Sequence, residues 1–162
     1  MRRAILLLAV MALAVFMAAP SALAKGPTTE RIPYDVTGVF EDLCAFRVDY
    51  QMTGVEIDKS WDYADGSWRF LQTFAQARAT LTSAEHTIVL NNGGPFRALD
   101  LPSVSYTDEG TGNYLFVTNP DTHVEPGLFY ASGHWIYTFD YVSEDETWTF
   151  HGRYVDLCPL LA

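Results

Sequence analysis

The signatures of the common catalytic sites are missing from this sequence. Its 162 residues contain no Gly-x-Ser-x-Gly, His-Glu-x-x-His, glycine-rich phosphate loop, Cys-x-x-Cys pair or EF-hand loop. Basic residues are scarce, with ten Lys and Arg against twenty Asp and Glu. That balance disfavours nucleic acid and anionic lipid as partners, because both reward a basic surface. Helical periodicity is also absent over any three turns. The best candidate, Phe74 to Leu81, is short, and Thr73, Thr80 and Thr82 suit extended chain equally well. No repeat, low-complexity tract or linker follows Pro33.

What is present begins with the first 24 residues. Arg2-Arg3 gives a positive start, Ala4 to Ala19 is an almost uninterrupted apolar run, and Ala22-Leu23-Ala24 is a small-x-small cleavage signal. The run is short for a membrane span and is followed by the breaker-rich Lys25-Gly26-Pro27. The expectation is a secretory signal peptide at 1–24, cleaved after Ala24, and a secreted, extracellular product with no membrane span in the mature chain. Residues 25–33 read as a flexible N-terminal segment and 34–162 as one domain, large enough for a core of its own. The leader removes Arg2 and Arg3 and no acid, so the formal net charge of −10 becomes −12. The ordinary explanation of such acidity is solubility. The sharper one is a cationic partner.

Both cysteines, Cys44 and Cys158, fall in the mature chain, and an even count in an exported protein reads as a disulfide. Closing so long a loop contributes about 4–5 kcal/mol in the chain-entropy model. A catalytic cysteine is the poorer reading in an oxidising compartment.

Period-two alternation recurs where helical periodicity does not. Between Leu43 and Thr53, Cys44, Phe46, Val48, Tyr50 and Met52 share one face, with Arg47, Asp49 and Gln51 on the other. A two-residue turn at Asp65-Gly66 would set Tyr63 against Trp68, Trp61 against Phe70, Lys59 against Gln72 and Asp62 against Arg69. A second hairpin, turning through Ser143 to Glu146, would set Tyr141 against Trp148, Phe139 against Phe150 and Trp135 against Tyr154. Tyr137 would then cover Gly152. A third would pair Val104 with Phe116 and Tyr106 with Tyr114 around a loop at 108–112. With Ala77 to Thr82, His86 to Asn91 and Leu128 to Ala131, the count is about eight to ten antiparallel strands.

Strict alternation without covering helices leaves an all-β antiparallel barrel or, alternatively, a β-sandwich. By parity both thiols point inward. A bond between the first long strand and the last favours a barrel closed by that disulfide.

Several short motifs carry a resemblance. The Cys-Ala-Phe at Cys44, Asn119-Pro120-Asp121, the stretch from Leu128-Phe129-Tyr130 to Gly133, and the closing Asp156-Leu157-Cys158-Pro159-Leu160-Leu161 resemble a family of small exported β-rich proteins from high-GC Gram-positive bacteria. The closing Asp-x-Cys-x-x-Leu is the most specific of them. The resemblance implies an exported, disulfide-closed β domain and transfers no catalytic residue.

Candidate chemistry rests on polar residues among aromatics, which make up 14% of the chain. The predicted register puts Lys59 and Gln72 side by side with Trp61 and Phe70. Lys59 at a barrel rim would snorkel to water, whereas inside it would anchor an anionic apolar ligand in a cavity also lined by Trp135 and Phe150. Asp156 would either accept backbone donors or answer Lys59. His134 and His151 read as outward, solvated residues, and Asp121 and His123 as a weak loop pair. No spacing demands a metal or a cofactor. The leading expectation is a secreted, non-enzymatic barrel that binds a small apolar or anionic ligand in its interior, or a cell-surface partner. The alternatives are a barrel-cavity enzyme of the isomerase or cyclase type, and a secreted inhibitor displaying the acidic loop Ser143 to Thr147.

Overall fold

A computed structural model describes residues 26–162, so the expected leader lies outside the described residues. The described residues form eight strands in sequence: β1 (Thr28–Phe40), β2 (Val48–Asp62), β3 (Trp68–Thr82), β4 (Thr87–Asn91), β5 (Pro95–Leu101), β6 (Ser105–Thr118), β7 (Pro126–Asp140) and β8 (Glu146–Asp156). A single helical turn, α1 (Cys158–Leu161), follows. Every pairing is antiparallel, in the order β1-β2-β3-β5-β6-β7-β8, with β4 continuing the line of β5 along β3. The expected all-β class is therefore found. β1 and β8 do not pair with each other, so the sheet is open. No helix among the described residues is long and apolar enough to cross a membrane.

Four local expectations change. The Asp65-Gly66 turn holds three residues rather than two. Tyr63 N–H donates to Ser67 O at 2.9 Å, Gly66 N–H donates to Tyr63 O at 3.0 Å, and Gly66 takes φ +86°, the left-handed conformation that ends a type I turn plus bulge. The register slips by one residue: Trp61 faces Arg69, Ser60 faces Phe70, Lys59 faces Leu71 and Asp58 faces Gln72. A one-residue slip moves every side chain of one strand to the other face.

The β7–β8 connection is longer than expected. Asp140 N–H donates to Asp145 O, while the Asp140 carboxylate accepts from Val142 and Ser143 N–H at 2.7 and 3.0 Å. Trp135 thus faces Phe150, Tyr137 faces Trp148 and Gly133 faces Gly152. This slip is even, so the faces stay as predicted although the partners change. The expected 108–112 loop is instead the middle of β6, because the chain reverses earlier, at Pro102-Ser103, where Val104 N–H donates to Leu101 O. Residues 28–33, expected to be flexible, form the first half of β1 against β2.

The two faces differ in chemistry. On one, here the aromatic face, lie Tyr34, Tyr50, Phe70, Phe96, Trp135 and Phe150; on the other, the basic face, lie Trp61, Arg69 and Arg97. The expected disulfide joins Cys44, between β1 and β2, to Cys158 after β8, with Cα atoms 5.5 Å apart. Beside it sits the fully buried core of Val48, Leu81, Leu128, Leu157 and Leu161, to which Tyr50, Ile88, Leu90, Leu115 and Tyr130 add partly buried surface.

A line of glycines separates this core from the rest of the sheet. Gly112, Gly133 and Gly152 are successive cross-strand partners, and Gly93 bridges to Asn113. A Cβ at Gly112 would stand 2.8 Å from Gly93 O and Gly94 Cα, so only bare backbone permits the approach. On the disulfide side of this line β4 pairs with β3 and not with β6. There Leu115, Leu128 and Tyr130 pack from the far face of β6 and β7 onto Leu81, Ile88 and Leu90.

Candidate functional site

Away from the disulfide, the aromatic face has no such covering layer. Its rings form a connected series across β3, β5, β7 and β8: Phe70 lies 6.3 Å from Phe96, Phe96 5.8 Å from Trp135, and Trp135 stacks on Trp148 at 5.5 Å. The loop between β6 and β7 closes one end. Its His123 imidazole stacks on Trp148 at 4.1 Å, Trp148 Nε1 donates to Pro120 O at 2.7 Å, and Tyr154 Oη donates to Asp121 Oδ2 at 3.0 Å. Side chains from strands set this surface, because residues two apart point the same way.

Carboxylates stand among the rings. Gln72 Nε2 donates to Glu56 Oε1 at 2.5 Å, and Trp68 Nε1 donates to Asp100 Oδ2 at 3.0 Å. Asp58 Oδ1, Asp108 Oδ1 and Trp135 Nε1 are buried without a hydrogen-bond partner. Unpaired buried polar atoms are uncommon and mark either stored strain or a missing partner. Burial raises the Asp108 carboxyl above the ordinary aspartate range, an effect that Tyr106 partly opposes. Glu56 is raised by burial and by Asp58 beside it. Tyr106 is raised by burial and by Asp108. Tyr114 is pushed up to about 12 by burial.

The strand-borne cations are confined to one face, whereas acids stand on both, with Asp35, Asp49, Glu109 and Asp140 on the basic face. Strand register puts Glu30, Glu56, Asp58, Asp62, Asp100 and Asp108 on the aromatic face. The strand-borne cations Arg31, Lys59, Arg69, Arg78, Arg97 and Arg153 all lie on the other. Neither the composition nor any local motif discloses this arrangement, which appears only once the register is known.

Of the predicted ligand residues, Gln72, Phe70, Trp135 and Phe150 come together on the aromatic face. Gln72, Phe96, Gly110, Trp135 and Phe150 form one cross-strand row. Lys59 and Trp61 do not join them. Lys59 is exposed on the basic face opposite Leu71, and Trp61 lies under the Arg69 guanidinium at 5.4 Å. Lys59, the expected anchor for an anionic ligand, is thus on the opposite side of the sheet from the rings, and the charged groups that do meet the rings are acidic. Asp156 accepts from Cys158 N–H at 3.0 Å, the first of its two expected roles. His134 and His151 lie on the basic face as expected, paired across β7 and β8.

Sequence reasoning missed Phe96, Asp108 and the stacking role of Trp148. The first lay outside any predicted strand, and the second inside a presumed loop. Among the described residues no group of three or more His, Cys, Asp or Glu is arranged to hold a metal ion. Comparison with protein-family models, curated proteins and solved structures finds no match for this chain.

Proposed function

We propose that the protein is a secreted, non-enzymatic β protein of nearly closed barrel type that binds a small organic cation with an apolar body on its aromatic face. The barrel reading is supported by the strand-to-strand meander and by the disulfide linking the β1–β2 connection to the end of β8. Export and kinship with the exported β-rich family belong to the same proposal and rest on the leader and the motifs around Cys44 and Cys158.

The observation that carries the ligand class is Asp108. Its buried Oδ1 lacks a donor on a face to which the described strands contribute no Lys or Arg side chain, in the same pair of strands as the Trp135 ring. An ammonium supplies the missing donor and the charge that offsets desolvation, and aromatic faces attract the same cation through their quadrupoles. The experiment is a tryptophan-fluorescence titration with phenethylamine and benzylamine, both ammonium ions with N–H donors at neutral pH, using propylbenzene as the neutral isostere of the former. Saturable quenching by the cations, weakened about tenfold in Asp108→Asn, supports the reading. Equal binding of the neutral isostere, no saturable response to either cation, or an unchanged affinity in Asp108→Asn rejects it.

A further inference from the structure

The basic face carries a groove of about 480 Å³ along β5, between β3 and β6, with the β2–β3 turn at one end. Its apolar surface comes from Leu99, Leu101 and Tyr63, which are 39%, 37% and 41% exposed although large and hydrophobic. Four charged groups border it: Asp65, Arg69, Arg97 and Glu109. Three of them are already engaged. Asp65 Oδ1 accepts from Ser67 N–H and Oγ–H at 2.9 and 2.6 Å, and Glu109 pairs with Arg97 and lies 3.6 Å from His134 Nε2.

Arg69 differs. Among the described residues it makes no ion pair, and its guanidinium carbon sits 5.4 Å from the Trp61 ring centroid. Stacking engages the face of a guanidinium and leaves its in-plane N–H donors available. Leu99 is the direct cross-strand neighbour of Arg69 and Arg97 the neighbour of Leu71, and both arginines border the apolar floor. A planar carboxylate fits the donor fork, and an apolar body attached to it would cover Leu99, Leu101 and Tyr63.

We propose that this groove is a second binding site, separate from the aromatic face, for a small monocarboxylate with an apolar tail, and that Arg69 is its anion anchor. The carboxylate accepts from the Arg69 edge while the ion pair of Arg97 and Glu109 bounds the site and limits it to one negative charge. Arg69, Leu99 and Leu101 are strand side chains and Tyr63 belongs to the β2–β3 turn; none is part of the disulfide-side core, so substituting them leaves that core untouched.

The test uses 4-phenylbutyrate as probe and 4-phenylbutyramide as its neutral control, followed by NMR shifts of Tyr63, Leu99 and Leu101 on the full mature chain. Saturable shifts with the carboxylate, about tenfold weaker with the amide and in Arg69→Gln, are expected; Arg69→Lys, which keeps the charge and loses the fork, should fall between. Asp108→Asn should leave this affinity unchanged, which separates this site from the cation reading. Equal affinity for acid and amide, an unaffected Arg69→Gln variant, or no saturable shift at millimolar probe overturns the proposal. Shifts confined to Phe96, Trp135 and Trp148 would also overturn it, by placing the carboxylate on the aromatic face.

Discussion

The indole of Trp135 lies flat over Gly110, where a Cβ would come within 2.6 Å of Cε2 and Nε1 of the ring. The two are direct partners across β6 and β7, so the glycine supplies space for the ring and the ring covers bare backbone. Gly110→Ala should therefore destabilise the fold by about 1–3 kcal/mol through overpacking, and should shift tryptophan emission as the indole is displaced. Urea unfolding with fluorescence detection checks both. An unchanged midpoint and spectrum would mean that the ring has room to move.

The Cys44–Cys158 bond spans 114 residues and joins the β1–β2 connection to α1 beside the buried core. Replacing both with Ser, or reducing the bond, should cost about 2–5 kcal/mol, most of it from loop closure in the unfolded chain. Calorimetry of the oxidised protein and the double Ser variant measures it. A difference below about 1 kcal/mol would show that packing of Leu157 and Leu161 alone holds the chain end.

Asp108 yields a pH-dependent prediction. Burial raises its folded-state pKa, whereas the unfolded chain returns it to the ordinary aspartate value, so its charged form opposes folding at neutral pH. The penalty is absent below the unfolded pKa and fully developed once pH rises through the folded one. Asp108→Asn is expected to raise the urea midpoint at pH 7 and to lose that advantage by about pH 3. A variant less stable than wild type at neutral pH would contradict this. Gained stability together with weakened cation binding would mark Asp108 as a residue kept for its site rather than for its fold.

Much of this molecule was readable from alternation, but each misplaced residue traces to a turn. The dipeptide Asp65-Gly66 correctly announced a hairpin, yet the difference between a two- and a three-residue loop rests on hydrogen bonds that the letters do not specify. That single residue sent Lys59 and Trp61 to the opposite face, and with them the anionic-ligand idea. The β7–β8 hairpin was misjudged by more residues and with less consequence, since an even slip kept Trp135 and Phe150 on the predicted face. Asp108 was hidden because Asp-Glu-Gly-Thr-Gly looks like a turn in isolation. In β6 its glycines serve a ring and a close backbone approach instead. The disulfide depended on parity and compartment rather than on turn length, and it was legible from the outset.

Confinement of the strand-borne cations to one face, with most strand-borne acids on the other, makes the sheet an electrical dipole whose axis runs through its thickness. A molecule of net negative charge is repelled by an anionic surface as a whole, but within roughly a Debye length, about 8 Å at physiological salt, local fields act on the nearer face. There the torque turns Arg69, Arg97 and Arg153 toward the surface and holds the rings of Phe96 and Trp135 toward open solvent. Salt weakens that torque, so ionic strength sets which side of the protein meets its surroundings first.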